Sequence, residues 1–112
     1  LEKNNILFLP KIDKRIINSF WRYIVILNES LNRRKIIMYL KKYSIDVIHS
    51  YEPLIHQQII YKNYLKDNNK KLNFSENYCK RHIMLPIHYN IKKNDAIFIA
   101  KTLIKAVEYN KS

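Results

Sequence analysis

The chain has 112 residues, with 21 Lys plus Arg against 9 Asp plus Glu, a net charge of +12 and no glycine. That length suits one domain with a core of modest size. Without glycine there is no phosphate-cradling loop of the Walker or dinucleotide-binding kind, and the longest aliphatic run, Ile24 to Leu27, falls far short of the roughly 20 apolar residues of a membrane-spanning helix.

The positive charge admits binding to nucleic acid or to an anionic membrane. The basic residues are scattered, however, and the chain is rich in Lys, Ile, Asn and Tyr, the bias an A+T-rich genome imposes. A small basic nucleic-acid-binding module is therefore the alternative reading, with Trp21-Arg22-Tyr23 as its aromatic and basic platform. The single cysteine, Cys79, cannot form an internal disulfide, which fits a reducing, cytoplasmic compartment. Leu1 stands where a natural chain has Met, and no basic-then-apolar leader follows. We therefore expect a fragment without a secretory signal or membrane segment.

In chain order, Leu1 to Asn18 reads as an entry segment, apolar at Ile6-Leu7-Phe8-Leu9 and stopped by Pro10, with a polar loop over Lys11 to Arg15. Ser19 to Leu27 is the best strand, rich in aromatic and β-branched residues. Trp21, Tyr23, Val25 and Leu27 share one face, and Phe20, Ile24 and Ile26 the other. Two apolar faces predict a central strand covered on both sides, or on one side by another domain. Ser30 is the expected N-cap of a helix from Leu31 to Tyr43, with Ile36, Ile37 and Leu40 at helical spacing. A short strand follows over Ile45 to Ser50, then Pro53 in a loop, a short helix from His56 to Leu65, and a charged loop from Lys66 to Lys71. Ser75 is expected to cap a short helix through Lys80. His82 to Leu85 reads as a third strand ended by Pro86. A last helix over Lys93 to Tyr109 carries an apolar stripe of Ala96, Ile97, Ala100, Leu103, Ile104 and Val107. This order predicts an α+β fold, a small and mainly antiparallel sheet with helices on one face.

Cys79 and His82 lie three apart, but the paired spacings of a zinc site are missing. Nothing around Cys79 marks a nucleophile. We assign no metal ligand and no catalytic residue. The densest polar cluster is His49 to Gln58, which places a phenol, a carboxylate, imidazoles and amides in one loop.

Taken together, Phe20-Trp21-Arg22-Tyr23 on a strand, Arg33 leading a helix, the Ser44-Ile45 step, Tyr51, Pro53 and His56 in a loop, and Leu85-Pro86-Ile87-His88 before the last helix form an ordered set. In that order the chain resembles the C-terminal part of the DegT/DnrJ/StrS family of sugar aminotransferases, from about Asn18 to Val107. It departs from the family at Ser44, where Gly is usual, at Ser50, where His is usual, and near Asn73, where a proline is missing. The resemblance implies the small C-terminal domain of a fold-type-I enzyme over residues 1–112, without its large domain. It implies pyridoxal 5'-phosphate as cofactor, bound by a lysine of that missing domain and by no residue of this chain. It implies a nucleotide-linked keto-sugar and an amino donor such as glutamate as substrates, homodimerisation, and a role in cell-surface glycan or polysaccharide biosynthesis. By the same resemblance Tyr51 and His56 are the residues expected to contact the sugar or its phosphates. The isolated chain is expected to be inactive.

Overall fold

The computed structural model describes residues 7–9, 11–49, 51–62 and 72–111. The expected charged loop at Lys66–Lys71 lies outside them, as do Leu1–Ile6, Pro10 and Ser50. Three strands, β1 (Leu7–Phe8), β2 (Tyr23–Leu27) and β3 (His82–Leu85), form an antiparallel sheet in the order β1-β2-β3. Around it stand α1 (Arg33–Lys42), a short 3-10 turn (Ile55–Gln57), α2 (Ile59–Lys62), α3 (Asn73–Arg81) and α4 (Lys93–Lys111). This is the expected α+β fold, with β2 as the central strand.

The register explains which side is the core. Leu7 pairs with Leu27, and Val25 with Ile83. Residues opposite one another on paired strands share a face, so these four point the same way. They are all buried, and they pack with Ile36 and Leu40 of α1 and with Leu103, Ala106 and Val107 of α4. Ile45 and Val47 complete this cluster. The other face carries Phe8, Ile24 and Ile26, none of them fully buried, together with the buried His82 and Met84 of β3. Helix α3 borders it, where the Arg81 guanidinium lies 5.7 Å from the Phe8 ring centre.

Several local expectations change. β2 starts at Tyr23 and not at Ser19, because Tyr23 pairs with Leu85 and the next partner would be Pro86, which has no N–H to donate. Trp21 is left three-quarters exposed. The cap of α1 is Asn32, whose side chain accepts the Lys35 N–H at 3.1 Å. Ser30 instead donates its N–H and hydroxyl to Asn28 in a turn. Asn caps as well as Ser, and the helix starts from Asn32 instead of the expected Ser30. The strand over 45–50 shrinks to one bridge between Ile48 and Met84. The helix from His56 splits at Gln58 into the 3-10 turn and α2, and residues 63–65 lie outside the description. Ser75 sits inside α3, which already begins at Asn73.

On α4 the buried stripe is rotated from the expected one. Thr102, Leu103, Ala106 and Val107 are buried, with Ile99 packed beside them, while Ile97 and Ile104 are exposed. Both sets obey three-and-four spacing, and Leu103 and Val107 belong to both. The contact with α1 decides between them.

Helix α1 ends with Ser44 at φ 57. The Ile45 N–H returns to the Leu40 carbonyl at 3.2 Å, and the Ser44 N–H to Lys41 at 3.0 Å. This left-handed closure is the geometry glycine adopts without a Cβ clash. The substitution Ser44→Gly should therefore stabilise the protein by about 1 kcal/mol, read as a rise in the urea midpoint; an unchanged or lower midpoint would show that Ser44 carries no strain.

Candidate ligand-binding cleft

Tyr51, Pro53, Leu54, Ile55 and Gln58 form one wall of a cleft of about 530 Å³, and Phe74, Ser75, Tyr78 and Cys79 of α3 form the other. The loop wall carries no regular structure before the 3-10 turn. The α3 wall is fixed from below, because β3 follows α3 directly and ties it to the sheet.

Of the two expected contact residues, Tyr51 lies in this cleft and is half exposed. Its ring centre stands 6.0 Å from that of His82. Its carbonyl accepts the Cys79 thiol at 3.6 Å, and its own φ is 74. His56 is not among the residues lining the cleft. It sits largely buried, with Nε2 at 3.0 Å from Glu76 Oε1. Glu76 also accepts the Leu72 N–H at 3.2 Å. The His56 hydrogen bond holds the Glu76 carboxyl below its ordinary range. His56 thus joins the loop to α3, while Tyr51 faces the cleft.

Residues beyond the expected pair organise the site. Arg33 Nη1 donates to the Cys79 carbonyl, and Arg33 Nη2 donates to Glu52 Oε1 at 2.7 Å. His49 Nδ1 lies 3.8 Å from the second Glu52 oxygen. The Arg33 hydrogen bond holds Glu52 below the usual glutamate range, so it is an anion at neutral pH. His82 is fully buried. Its Nδ1 lies 3.1 Å from the Cys79 carbonyl and 3.3 Å from that of Tyr78. Carbonyls only accept, so Nδ1 carries the proton. The ring stacks on Tyr78, with centres 5.3 Å apart. No sequence signal paired Arg33 with Glu52 across 19 positions. The Glu residues were visible as charges, but not as partners.

Cys79 and His82 do not form a nucleophilic pair. Burial raises the Cys79 thiol above its ordinary value, the reverse of what a reactive thiolate needs. His82 Nδ1 is engaged by backbone. Among the described residues no group of three His, Cys, Asp or Glu could hold a metal.

Pyridoxal phosphate chemistry needs a lysine whose amine is deprotonated in an apolar pocket. Every lysine with a described side chain is exposed, so these residues do not fit the cofactor and no step through it is assigned to them.

Burial pushes the His82 imidazole below its ordinary value of 6.5. The folded ring then stays neutral where the unfolded one takes up a proton. Stability from this group is full above 6.5 and falls as the pH drops towards the depressed folded value. The urea midpoint measured across this range should decline on the acid side of 6.5. His82→Gln should flatten that decline while lowering stability overall by about 1–3 kcal/mol. An equal slope in the variant would remove His82 as its source.

The sequence matches the DegT/DnrJ/EryC1/StrS aminotransferase family over residues 1–104. No curated protein matches it. Among solved structures, the aminotransferase TlmJ from Streptoalloteichus hindustanus superposes with a TM-score of 0.78 at 18% identity, covering 97% of this chain and 28% of that one. PseC from Helicobacter pylori, an aminotransferase involved in the biosynthesis of pseudoaminic acid, gives 0.68 at 24% identity, covering 79% of this chain and 24% of that one. A Bacillus cereus ATCC 10987 protein described as a PLP-dependent aminotransferase gives 0.68 at 23% identity, covering 91% and 27%. The chain thus spans about a quarter of the length of these structures, and the likeness to them is one of fold. A match over residues 1–104, on a fold that these aminotransferases share, places the chain in the DegT/DnrJ/EryC1/StrS aminotransferase family.

Proposed function

We propose that residues 1–112 are the small C-terminal domain of a pyridoxal-phosphate-dependent aminotransferase, and that its cofactor is held by a separate large domain. The substrate is a nucleotide-linked keto-sugar, the amino donor is glutamate or a relative, and the enzyme is a cytoplasmic homodimer serving glycan or polysaccharide synthesis.

The observation that carries this reading is the asymmetry of the sheet. One face is sealed by α1 and α4. The other buries His82 and Met84 of β3 but leaves Phe8, Ile24 and Ile26 incompletely covered, and beside them Phe74 is 88% exposed. An apolar surface of this kind marks a contact that the chain alone does not complete. The cleft bearing Tyr51 opens beside α3, next to that face. Tyr51 offers a phenolic hydroxyl to a sugar or phosphate oxygen, and His56, bound to Glu76 outside the cleft, holds the loop that carries it instead of touching the ligand.

The nucleic-acid alternative loses part of its platform. Arg22 lies over the Trp21 ring at 4.7 Å, but Tyr23 packs against the core. The three residues therefore do not present one continuous stacking surface.

The test is to sequence the coding DNA upstream of Leu1 and assay the resulting polypeptide. An in-frame large domain, with glutamate-dependent amination of a nucleotide-linked keto-sugar and a change in the cofactor's visible absorbance, is the expected result. Tyr51→Phe in that protein should weaken substrate binding about tenfold, the loss of one hydrogen bond to a charged group. A stop codon directly upstream, or a large domain that aminates no sugar nucleotide, would sink the reading.

A further inference from the structure

The backbone of residues 51–54 is neither helix nor strand, so its shape must be imposed from outside. Tyr51 needs this most, because a φ of 74 costs an L-residue about 1–2 kcal/mol. A residue in that region persists only where its surroundings over-determine it.

The surroundings converge on one side chain. Arg33 leads α1, next to the Asn32 cap, so its backbone is fixed. Its side chain is 18% exposed. One nitrogen is anchored on the Cys79 carbonyl at the end of α3, and the other meets Glu52. Glu52 directly follows Tyr51, and the Tyr51 carbonyl accepts the Cys79 thiol. Arg33 therefore reaches the Tyr51–Glu52 segment by two routes, through Glu52 and through Cys79.

We propose that Arg33 and Glu52 are a positioning pair that fixes Tyr51 at the mouth of the cleft. The proposal rests on the reading of Tyr51 as a ligand contact and adds what sets its place. The fork of the guanidinium is essential to it. Arginine presents several donors in one rigid plane, whereas a lysine ammonium is a point charge on a flexible stem and does not reproduce that two-pronged span. A carboxylate partner is also required, since the charged hydrogen bond is about twice as strong as a neutral one.

Cys79 provides the measurement. It is the sole cysteine of the chain, it is 5% exposed, and it lies beneath the Tyr51 carbonyl. Alkylation of the 112-residue chain by iodoacetamide therefore reports release of this segment with no ligand present. Glu52→Gln should speed alkylation roughly fivefold, as expected for losing a partly exposed ion pair. The gain should persist unchanged in sub-denaturing urea, because a local opening exposes little new surface. Arg33→Lys should also speed it, whereas the wild-type fork protects. Alkylation of Glu52→Gln at the wild-type rate would overturn the proposal. So would an acceleration that climbs with urea in step with global unfolding, which would make the pair merely structural. Wild-type protection in Arg33→Lys would overturn the role of the fork. If Arg33 variants do not fold, Glu52→Gln, altered at a side chain 39% exposed, still decides. No substrate enters this assay, so its failure leaves the ligand reading standing, and failure of the ligand reading leaves the clamp standing.

Discussion

Helix α3 runs into strand β3 without a connecting loop: Arg81 is the last helical residue and His82 the first of the strand. The rest of the cleft depends on how that junction is satisfied. A nine-residue helix is marginal by itself in water, and its last carbonyls have no partner within the helix. Here they are met by the backbone N–H of the C-cap His82, by its ring and by Arg33. The Cys79 carbonyl faces Arg33 and His82, and the Tyr78 carbonyl faces His82. Arg81 in turn donates to the Leu27 carbonyl at 2.7 Å, at the end of the central strand. The junction therefore fixes α3 to α1 and to the sheet together. Because Tyr78, Cys79 and Phe74 all sit on α3, the cleft wall inherits the rigidity of the core.

That arrangement explains why a histidine is fully buried. An apolar residue at 82 would fill the space against Tyr78 but would remove the ring N–H, leaving the Cys79 carbonyl to Arg33 alone and the Tyr78 carbonyl to the backbone N–H of residue 82. His82 supplies both the flat ring that stacks and the N–H that caps. The same burial lowers its proton affinity, so the cap is sound in neutral solution and weakens in acid.

The sequence made the fold class legible because β2, β3 and the two core helices carry the composition or spacing that burial enforces, whereas β1, two residues inside what reads as an entry segment, was not legible as a strand. The end of β3 was legible for a harder reason: a proline cannot continue a ladder. Pro86 also truncated β2, which periodicity alone could not show, since the pairing partner is not written into the strand. The rotated stripe on α4 has the same origin. Ile97 and Ile104 have the right spacing, but Ala106 has the size that lets α1 approach. At the cleft, Tyr51 and His56 stood out by residue type and by family resemblance, and the structure sets them to different surroundings. The ion pairs that hold the loop join positions 19 to 20 residues apart. One chain cannot display such a pairing, because any of its other lysines and arginines would have satisfied the composition equally well.

The absence of glycine gives the loop its character. Among the described residues three non-glycine positions have positive φ: Phe20, Ser44 and Tyr51. Each costs on the order of 1–2 kcal/mol, against a whole-domain stability of only about 5–15 kcal/mol. The strain is met differently at each. Ser44 is offset by the closing hydrogen bonds of α1. The Phe20 N–H donates to Asn18 Oδ1 at 2.8 Å, and its ring stacks 5.7 Å from Tyr23. Tyr51 has neither a helix end nor a turn of its own, and its restraint comes across the cleft from Arg33, Glu52 and Cys79. A glycine there would relieve the backbone and remove the ring. Keeping the ring at that φ makes the loop dependent on a distant arginine, so a change on the first turn of α1 is felt at the mouth of the cleft.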